Sequence, residues 1–344
     1  MIKLILLLFC IVSFLSFLKF EKKTAKIVFL LIGWLLFLLA AFRDGNAVRD
    51  YGAYVEIYNN SSFNIENAFK TIAWIVRYVF LDNVLFLFII YALLGVGIKY
   101  KAIVELTPLC FLSLVIYIGN FYILHELTQI RVGVAAGFLL LCIKPIYERN
   151  IRKFLIFSTC AVLFHYSALI VFPLWFLKGN KINKYIYAAI IPLSYVFYFL
   201  HVNIVELFIR LLPIEYIQQK YNIYKLLQEQ NVSGFNRINV FNYVFLAKCI
   251  IFYIILWKSR LVQMQNKYIS ILLKIQSFSL ASFVLFSAMP VFAFRISELF
   301  GIVEIVTIPF IYYIFNPKSL SKIIVVFIGL CLLLINIFYN KLIV

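Results

Sequence analysis

The chain has 344 residues, of which 65% are hydrophobic, 19% aromatic and only 13% charged, with a mean hydropathy of +1.01. A soluble domain is nearer half apolar and a quarter charged, so a soluble globular enzyme is excluded. The net charge of +18 would suit a nucleic-acid binder, but the charges fall between long apolar runs, which points to a membrane and not to nucleic acid.

Apolar runs long enough to cross a hydrocarbon core of roughly 30 Å recur from end to end. They predict spans at 2–20, 27–42, 84–100, 102–118, 126–143, 154–165, 166–177, 185–202, 239–257, 268–288, 296–315 and 323–340. An outer-membrane barrel would show ~10-residue alternating segments instead. No small-residue cleavage site follows 2–20, and 27–42 comes directly after it, so 2–20 reads as a span and not as a signal peptide. The stretches 154–165 and 166–177 are short and read as a re-entrant pair or as tilted half-helices. The expected fold is an all-α polytopic membrane protein of 11–12 helices, organised as one membrane domain over 1–344.

Alternate connections are basic: 19–26, 99–101, 144–153, 178–184, 258–267 and 316–322 carry 18 Lys/Arg and only the acids Glu21 and Glu148. The positive-inside rule makes these the cytoplasmic side. Both termini and two long connections, near 43–83 and 203–238, are then expected outside. The first begins with a run at 42–58 rich in ionisable and tyrosyl groups, then a stretch of helical apolar period suited to the interface. The second begins amphipathic, breaks at Pro213, continues as a Tyr/Gln-rich helix and ends in a Ser-Gly turn. No internal repeat appears, whereas a carrier built from two related halves should show hydropathy symmetry.

Four places carry candidate chemistry. In 42–58, Arg43, Arg49, Asp50, Tyr51 and Tyr54 stand close in sequence. If this run is helical, Asp50, Tyr54 and Tyr58 share a face. Arginine forks bind phosphate, aromatic planes stack on sugar rings, and a carboxylate can act as a base; a plain interfacial tyrosine belt is the competing reading. In 125–138, Arg131 stands one to two turns inside an apolar helix mouth, with Glu126 and Gln129 near it and Gly133, Ala135, Ala136 and Gly137 following. A cation at that depth is costly unless paired or snorkelling, so it either holds an anion or pairs with Glu126. In 163–173, His165 lies between two short apolar stretches, as a cavity floor or as an ordinary turn. In 289–305, Arg295 and Glu298 are three apart, either as an ion pair or with Arg295 free to hold phosphate. Lys248 and Glu304, both inside apolar segments, read as a structural pair.

The six cysteines form no CxxC, and His125, His165 and His201 have no metal-ligand spacing, so no metal site and no cofactor is expected. The four arginines Arg43, Arg49, Arg131 and Arg295 all map to the outer face. That pattern suits an enzyme acting on an anionic, lipid-linked, sugar-bearing substrate.

These residues resemble a known family. Phe42 and Arg43, then Asp50, Tyr51 and Tyr54, are similar to the "FR…DYxxY" signature of the EpsG-like family, which includes Wzy-type O-antigen and capsule repeat-unit polymerases. Gln129, Arg131 and Ala135 match its "QxRxxxA" helix. Phe164, His165, Ser167 and Ala168 match its "FHxSA" element, and Phe294 and Arg295 resemble its late arginine. The chain departs from the pattern before Asp50, where Val48 and Arg49 replace a small pair.

The resemblance implies a lipid-dependent, GT-C-like glycosyltransferase of the bacterial inner (cytoplasmic) membrane, without a required metal. Its expected substrates are undecaprenyl-diphosphate-linked oligosaccharide donor and acceptor at the periplasmic face, with membrane lipid around it and a chain-length regulator protein as a further expected partner. On this reading Arg131 and Arg295 hold diphosphate, and Arg43 or Arg49 holds diphosphate or sugar. Tyr51 and Tyr54 would form a sugar platform, with Gln129 beside the substrate. Asp50, Glu126 and His165 remain alternatives for the base, and the 203–238 connection would cover the acceptor site. A flippase of lipid-linked oligosaccharide, an O-antigen ligase or a sugar O-acetyltransferase would share much of this physics.

Overall fold

Inside a bilayer every backbone polar group must find a partner within the protein, and this chain solves that with helices. The computed structural model describes all residues except 61–64, 180, 212–214, 231, 233–235, 237 and 344; the side chains of 208–211, 215–217 and 220 also lie outside the description. The predicted break at Pro213 and the Ser-Gly turn therefore fall outside the described residues.

The helices follow in order: α1 Ile2–Phe17, α2 Lys22–Ala41, α3 Tyr51–Asn59, α4 Asn67–Val79, α5 Leu85–Leu106 and α6 Cys110–Ile116, which continues as a wide π-helix, Tyr117–Thr128. Next come α7 Ile130–Glu148, α8 Ile151–Phe164, a 3₁₀ segment Tyr166–Phe176 and α9 Lys184–Phe199. Then α10 Ile204–Leu211, α11 Glu215–Glu229, α12 Tyr243–Trp257, α13 Ser259–Gln263, α14 Ile269–Leu285 and α15 Pro290–Gly301. After short turns α16 Glu304–Thr307 and α17 Ile311–Ile314, α18 Lys318–Leu334 ends in a second π-turn, Ile335–Tyr339. The protein is an all-α polytopic membrane protein.

Among the described residues, five helices are long and apolar enough to cross a membrane: Lys22–Ala41, Leu85–Leu106, Cys110–Thr128, Ile130–Glu148 and Lys318–Tyr339. Five shorter apolar helices, together with α8 and the broken stretch 290–314, answer to the remaining expected spans. One boundary is corrected. The predicted connection at 99–101 is not a loop: α5 runs unbroken through it, and the chain turns at 107–109 instead. The reason is Lys99. Its side chain is fully buried, with Nζ donating to Glu126 Oε1 at 2.5 Å and to the Gly133 carbonyl at 2.7 Å, while the Tyr117 hydroxyl donates to the same carboxylate oxygen at 2.9 Å. The pair fits because Gly95 has no side chain; a Cβ there would lie 1.9 Å from Glu126 Oε2.

A second interior pair joins Lys248 to Glu304 at 3.1 Å, as the sequence suggests, with Asn120 donating to the same oxygen at 3.1 Å. The π-helix that carries Asn120 crosses α18 closely. A Cβ on Gly119 would sit 2.3 Å from the Gly329 carbonyl, and Asn336 donates to the Gly119 and Asn120 carbonyls at 3.2 and 3.0 Å. Small residues allow this approach, and the asparagine satisfies carbonyls that the wider turn leaves open.

The 154–177 region is a hairpin that stops short of full depth. At 14 residues α8 is about 21 Å long and the 11-residue 3₁₀ segment about 22 Å, against roughly 30 Å of hydrocarbon. The two limbs pack on each other, and Arg149 clamps their base by donating to the Trp175 and Leu177 carbonyls at 2.6 and 2.7 Å. His165 is the tip. At the other end of the chain Val48 pairs with Ile343, and the Arg49 amide reaches the Leu342 carbonyl at 3.5 Å. The C-terminus and the 42–58 run thus share one side of the protein, as an even number of crossings between them requires.

Glu126→Gln would strand the buried Lys99 ammonium. It is expected to lower the thermal unfolding midpoint of the purified full-length protein, with a cost of about 3–5 kcal/mol. Adding Lys99→Met should recover most of the loss. An unchanged midpoint in Glu126→Gln would contradict the closed pair.

Candidate active site

The first long connection, near 43–83, folds back onto the helices. Asp50 occupies the N-cap position of α3, and the predicted face of that helix turns inward: Tyr54 and Tyr58 are buried against α4 and α5. The amphipathic stretch becomes α4, which buries Phe69, Ile72, Ala73 and Val76 and exposes Trp74 and Tyr78, an interfacial arrangement. Arg77 donates to the Tyr58 carbonyl and lies 5.0 Å over the Tyr58 ring. The Tyr58 hydroxyl donates to Asp82 at 2.5 Å; burial first, and then the Asp82 contact, pushes its phenol up to about 12.

At the N-cap of α4 stands Glu66, buried, which is not among the site residues expected from the sequence. Its Oε2 accepts from Arg131 Nη1 and its Oε1 is 2.9 Å from His165 Nδ1. One carboxylate thus joins the outer connection, the start of α7 and the tip of the hairpin. The Arg131 guanidinium also lies 5.6 Å over the Tyr54 ring and within hydrogen-bonding reach of the Tyr54 hydroxyl. Tyr91, six residues into α5, is within electrostatic reach of Arg131.

Each predicted site residue has a definite place. Arg43 is buried beside this cluster. It donates through Nε to the Ala40 carbonyl at 2.8 Å and through Nη1 to the Leu127 carbonyl at 2.7 Å, and it lies 4.8 Å over Phe88. Tyr51 stacks on the same Phe88 at 4.4 Å, and Tyr54 is covered by Arg131 and Phe69, so both rings pack against protein groups. Asp50 pairs with the exposed Arg49 at 3.4 Å on the rim. Gln129 ends the π-helix, its amide bonding the Leu124 carbonyl at 2.7 Å, and its side chain hydrogen-bonds Glu298 of α15. Glu298 in turn lies within electrostatic reach of Lys248, Arg295 and Arg49. Arg295 donates to the Tyr224 hydroxyl at 3.2 Å and sits 5.9 Å over its ring, so α11 of the second outer connection lies against this arginine. Both Arg295 and Arg131 are within electrostatic reach of His165. Glu126 is not the partner of Arg131; it belongs to the interior pair with Lys99.

Several polar atoms at this place are buried with no partner among the described residues: Arg43 Nη2, Arg131 Nε, His165 Nε2 and the Tyr91 hydroxyl. Buried polar atoms are nearly always satisfied, and a group of unspent ones in a single cluster marks a ligand position. The tautomer of His165 follows from its neighbour. An ionised carboxylate only accepts, so Nδ1 donates to Glu66 and Nε2 of the neutral ring carries a lone pair. No group of three or more His, Cys, Asp or Glu able to hold a metal occurs among the described residues.

Against this geometry the comparisons are direct. The EpsG family model matches residues 26–344. The chain belongs to the EpsG family. It is also 25% identical over 181 residues to the amylovoran biosynthesis protein AmsC of Erwinia amylovora, an alignment covering 47% of this chain and 48% of that protein. The chain thus spans about half the length of the curated relative it matches. No solved structure matches it.

Burial alone would raise the Glu66 carboxyl, but the His165 hydrogen bond and the Arg131 charge outweigh it and hold the group at about 2, below its ordinary 4.5. Because the folded value is the lower one, the stability this cluster contributes is complete above about 4.5 and fades as the pH falls toward about 2. Melting curves of wild type and Glu66→Gln should show a gap that narrows as the pH falls from about 4.5 toward about 2. A gap that stays unchanged over that range would contradict the bridge.

Proposed function

We propose that this EpsG-family protein is a glycosyltransferase that polymerises undecaprenyl-diphosphate-linked oligosaccharide repeat units into O-antigen or capsular polysaccharide. On this reading the whole chain works as one GT-C-like domain in the bacterial inner membrane. The growing chain passes from its lipid carrier to a new lipid-linked unit at the periplasmic face, and lipid diphosphate is released. The relative's role in amylovoran biosynthesis supports a place in polysaccharide assembly. The observation that carries the reading is the cluster itself: arginines around a carboxylate–imidazole pair, with buried donors and an acceptor left unspent.

The roles follow from the chemistry. The leaving group is a diphosphate, whose developing charge fixed guanidinium groups can neutralise without a metal. Arg131 is placed to do this, with its unspent Nε, and Arg295 would join it once released from Tyr224. Arg43, half satisfied by carbonyls, offers Nη2 from the other side. His165 takes the part of base: Glu66 fixes its tautomer and orientation, and Nε2 receives the proton of the attacking sugar hydroxyl as the glycosidic bond forms and the bond to the diphosphate breaks. Glu66 is then a positioning residue. Asp50 and Arg49 on the rim, with Tyr51 and Tyr54 as the packed wall behind them, would contact sugar, and Gln129 holds α15 against the site through Glu298. Glu126 keeps a structural role with Lys99. The second outer connection covers the acceptor side through α11, and a chain-length regulator remains an expected partner.

Deletion of the gene followed by gel analysis of the surface polysaccharide tests this. Loss of the long-chain ladder with one repeat unit still attached is the expected result. Loss of all units would point to a flippase or a ligase and overturn the reading. In the complemented strain Arg131→Ala should abolish chain extension at normal protein level, and His165→Ala should slow it by about 10²–10⁴-fold. A normal ladder in either removes that residue from the mechanism.

A further inference from the structure

A second concave site lies on the opposite, Lys/Arg-rich side. α7 carries Arg131 near its start and Tyr147 near its end, 16 residues or about 24 Å apart along the helix. At that far end is a recess of about 850 Å³, bordered by Tyr147, Arg149, Lys178, Lys181, Tyr187 and Lys274. Four of these are cations, and no carboxylate lines the recess; Glu148, the nearest acid in sequence, is exposed and outside it.

The floor is Lys274 of α14, only 5% exposed. Its ammonium donates to the Lys178 carbonyl at 2.5 Å and lies 5.5 Å over the Tyr187 ring. A carbonyl and a ring face orient the ammonium but carry no countercharge, and it lies within electrostatic reach of the like charge of Arg149. Arg149 is itself fixed by the Trp175 and Leu177 carbonyls, so it cannot swing away without opening the hairpin base. A buried cation without a countercharge is costly, and the fixed, exposed Arg149 adds a like charge at the same recess. The start of α9 adds to the field. Asn183 accepts from the Tyr185 and Ile186 amides at 3.1 and 3.4 Å, and the positive end of this 16-residue helix borders the same recess. The lip is apolar: Phe176 and Ile186 also border the recess and are 81% and 56% exposed, as side chains facing acyl chains would be.

We propose that this recess binds the headgroup of an anionic phospholipid from the leaflet on that side, with its phosphate between Arg149, Lys178 and Lys274 and its chains along Phe176 and Ile186. Basic pockets between membrane helices suit such headgroups. The apolar lip favours a lipid over a soluble anion, for which exposed aromatic and aliphatic side chains at the rim would serve nothing. The site is independent of the polymerase reading. It brackets the base of the hairpin whose tip is His165, so an occupied recess also braces that limb.

Native mass spectrometry of the full-length protein, purified in detergent and given phosphatidylglycerol, phosphatidylcholine or inorganic phosphate, tests the proposal. Phosphatidylglycerol should be retained in preference to phosphatidylcholine and should survive excess inorganic phosphate. Lys274→Met and the exposed pair Lys178→Gln/Lys181→Gln should each weaken retention about tenfold. The second variant decides the matter if the first does not fold. Lys22→Gln/Lys23→Gln, which removes the same charge elsewhere on that side, should change nothing. Equal retention in the recess variants, an equal loss in the Lys22/Lys23 control, or displacement by inorganic phosphate would each overturn the proposal.

Discussion

The Glu66 carboxylate takes a guanidinium at one oxygen and an imidazole at the other, and that double contact ties α4, the start of α7 and the tip of the hairpin together. Residues 66, 131 and 165 lie on three segments that already pack on one another through apolar side chains, and the carboxylate joins their polar groups. α4 is an interfacial helix, α7 a deep apolar helix, and His165 the tip of a hairpin too short to cross. Removing the carboxylate would leave a guanidinium and an imidazole facing each other below the membrane surface, with their attraction to α4 gone. The same contact decides the chemistry: it fixes which histidine nitrogen carries the proton and leaves the other available.

The rest of the interior is arranged so that its charges are spent. Lys99 with Glu126, and Lys248 with Glu304 and Asn120, are pairs closed by further hydrogen bonds. Such pairs add little net stability compared with an apolar core, but breaking one is expensive, so they hold helices in register. The Glu66 cluster leaves Arg131 Nε and His165 Nε2 unspent beside a second buried arginine, Arg43, and the basic recess at the far end of α7 has no acid in its lining. Unspent buried polar atoms also occur elsewhere in the interior, both ring nitrogens of His125 among them, so what singles out the Glu66 cluster is that several of them stand together beside charged groups.

Much of this was legible in the sequence because membranes penalise exceptions. Arg131 and His165 stood out as polar groups at depth, the hairpin as two runs too short to span, and Lys248 with Glu304 as opposite charges within apolar segments. The connection at 99–101 was misplaced for a related reason: hydropathy registers a lysine as a boundary and cannot see that Glu126, 27 residues on, neutralises it. Glu66 was missed as a partner because it is one acid among several in a polar connection, and only tertiary packing brings it to residues 65 and 99 positions away. Helical spacing correctly grouped Tyr54 with Tyr58, but spacing does not say which way a face turns, and this one turns inward. Family membership adds no partner for any of these side chains; the geometry does.

The central claim is that the Glu66–Arg131–His165 cluster receives the diphosphate of a lipid-linked sugar. Equilibrium binding of an undecaprenyl diphosphate to the full-length protein in nanodiscs measures this without requiring turnover. Wild type should bind, and Arg131→Lys, which keeps the charge but loses the planar fork, should bind at least about tenfold more weakly. Equal affinity in the two would contradict the account.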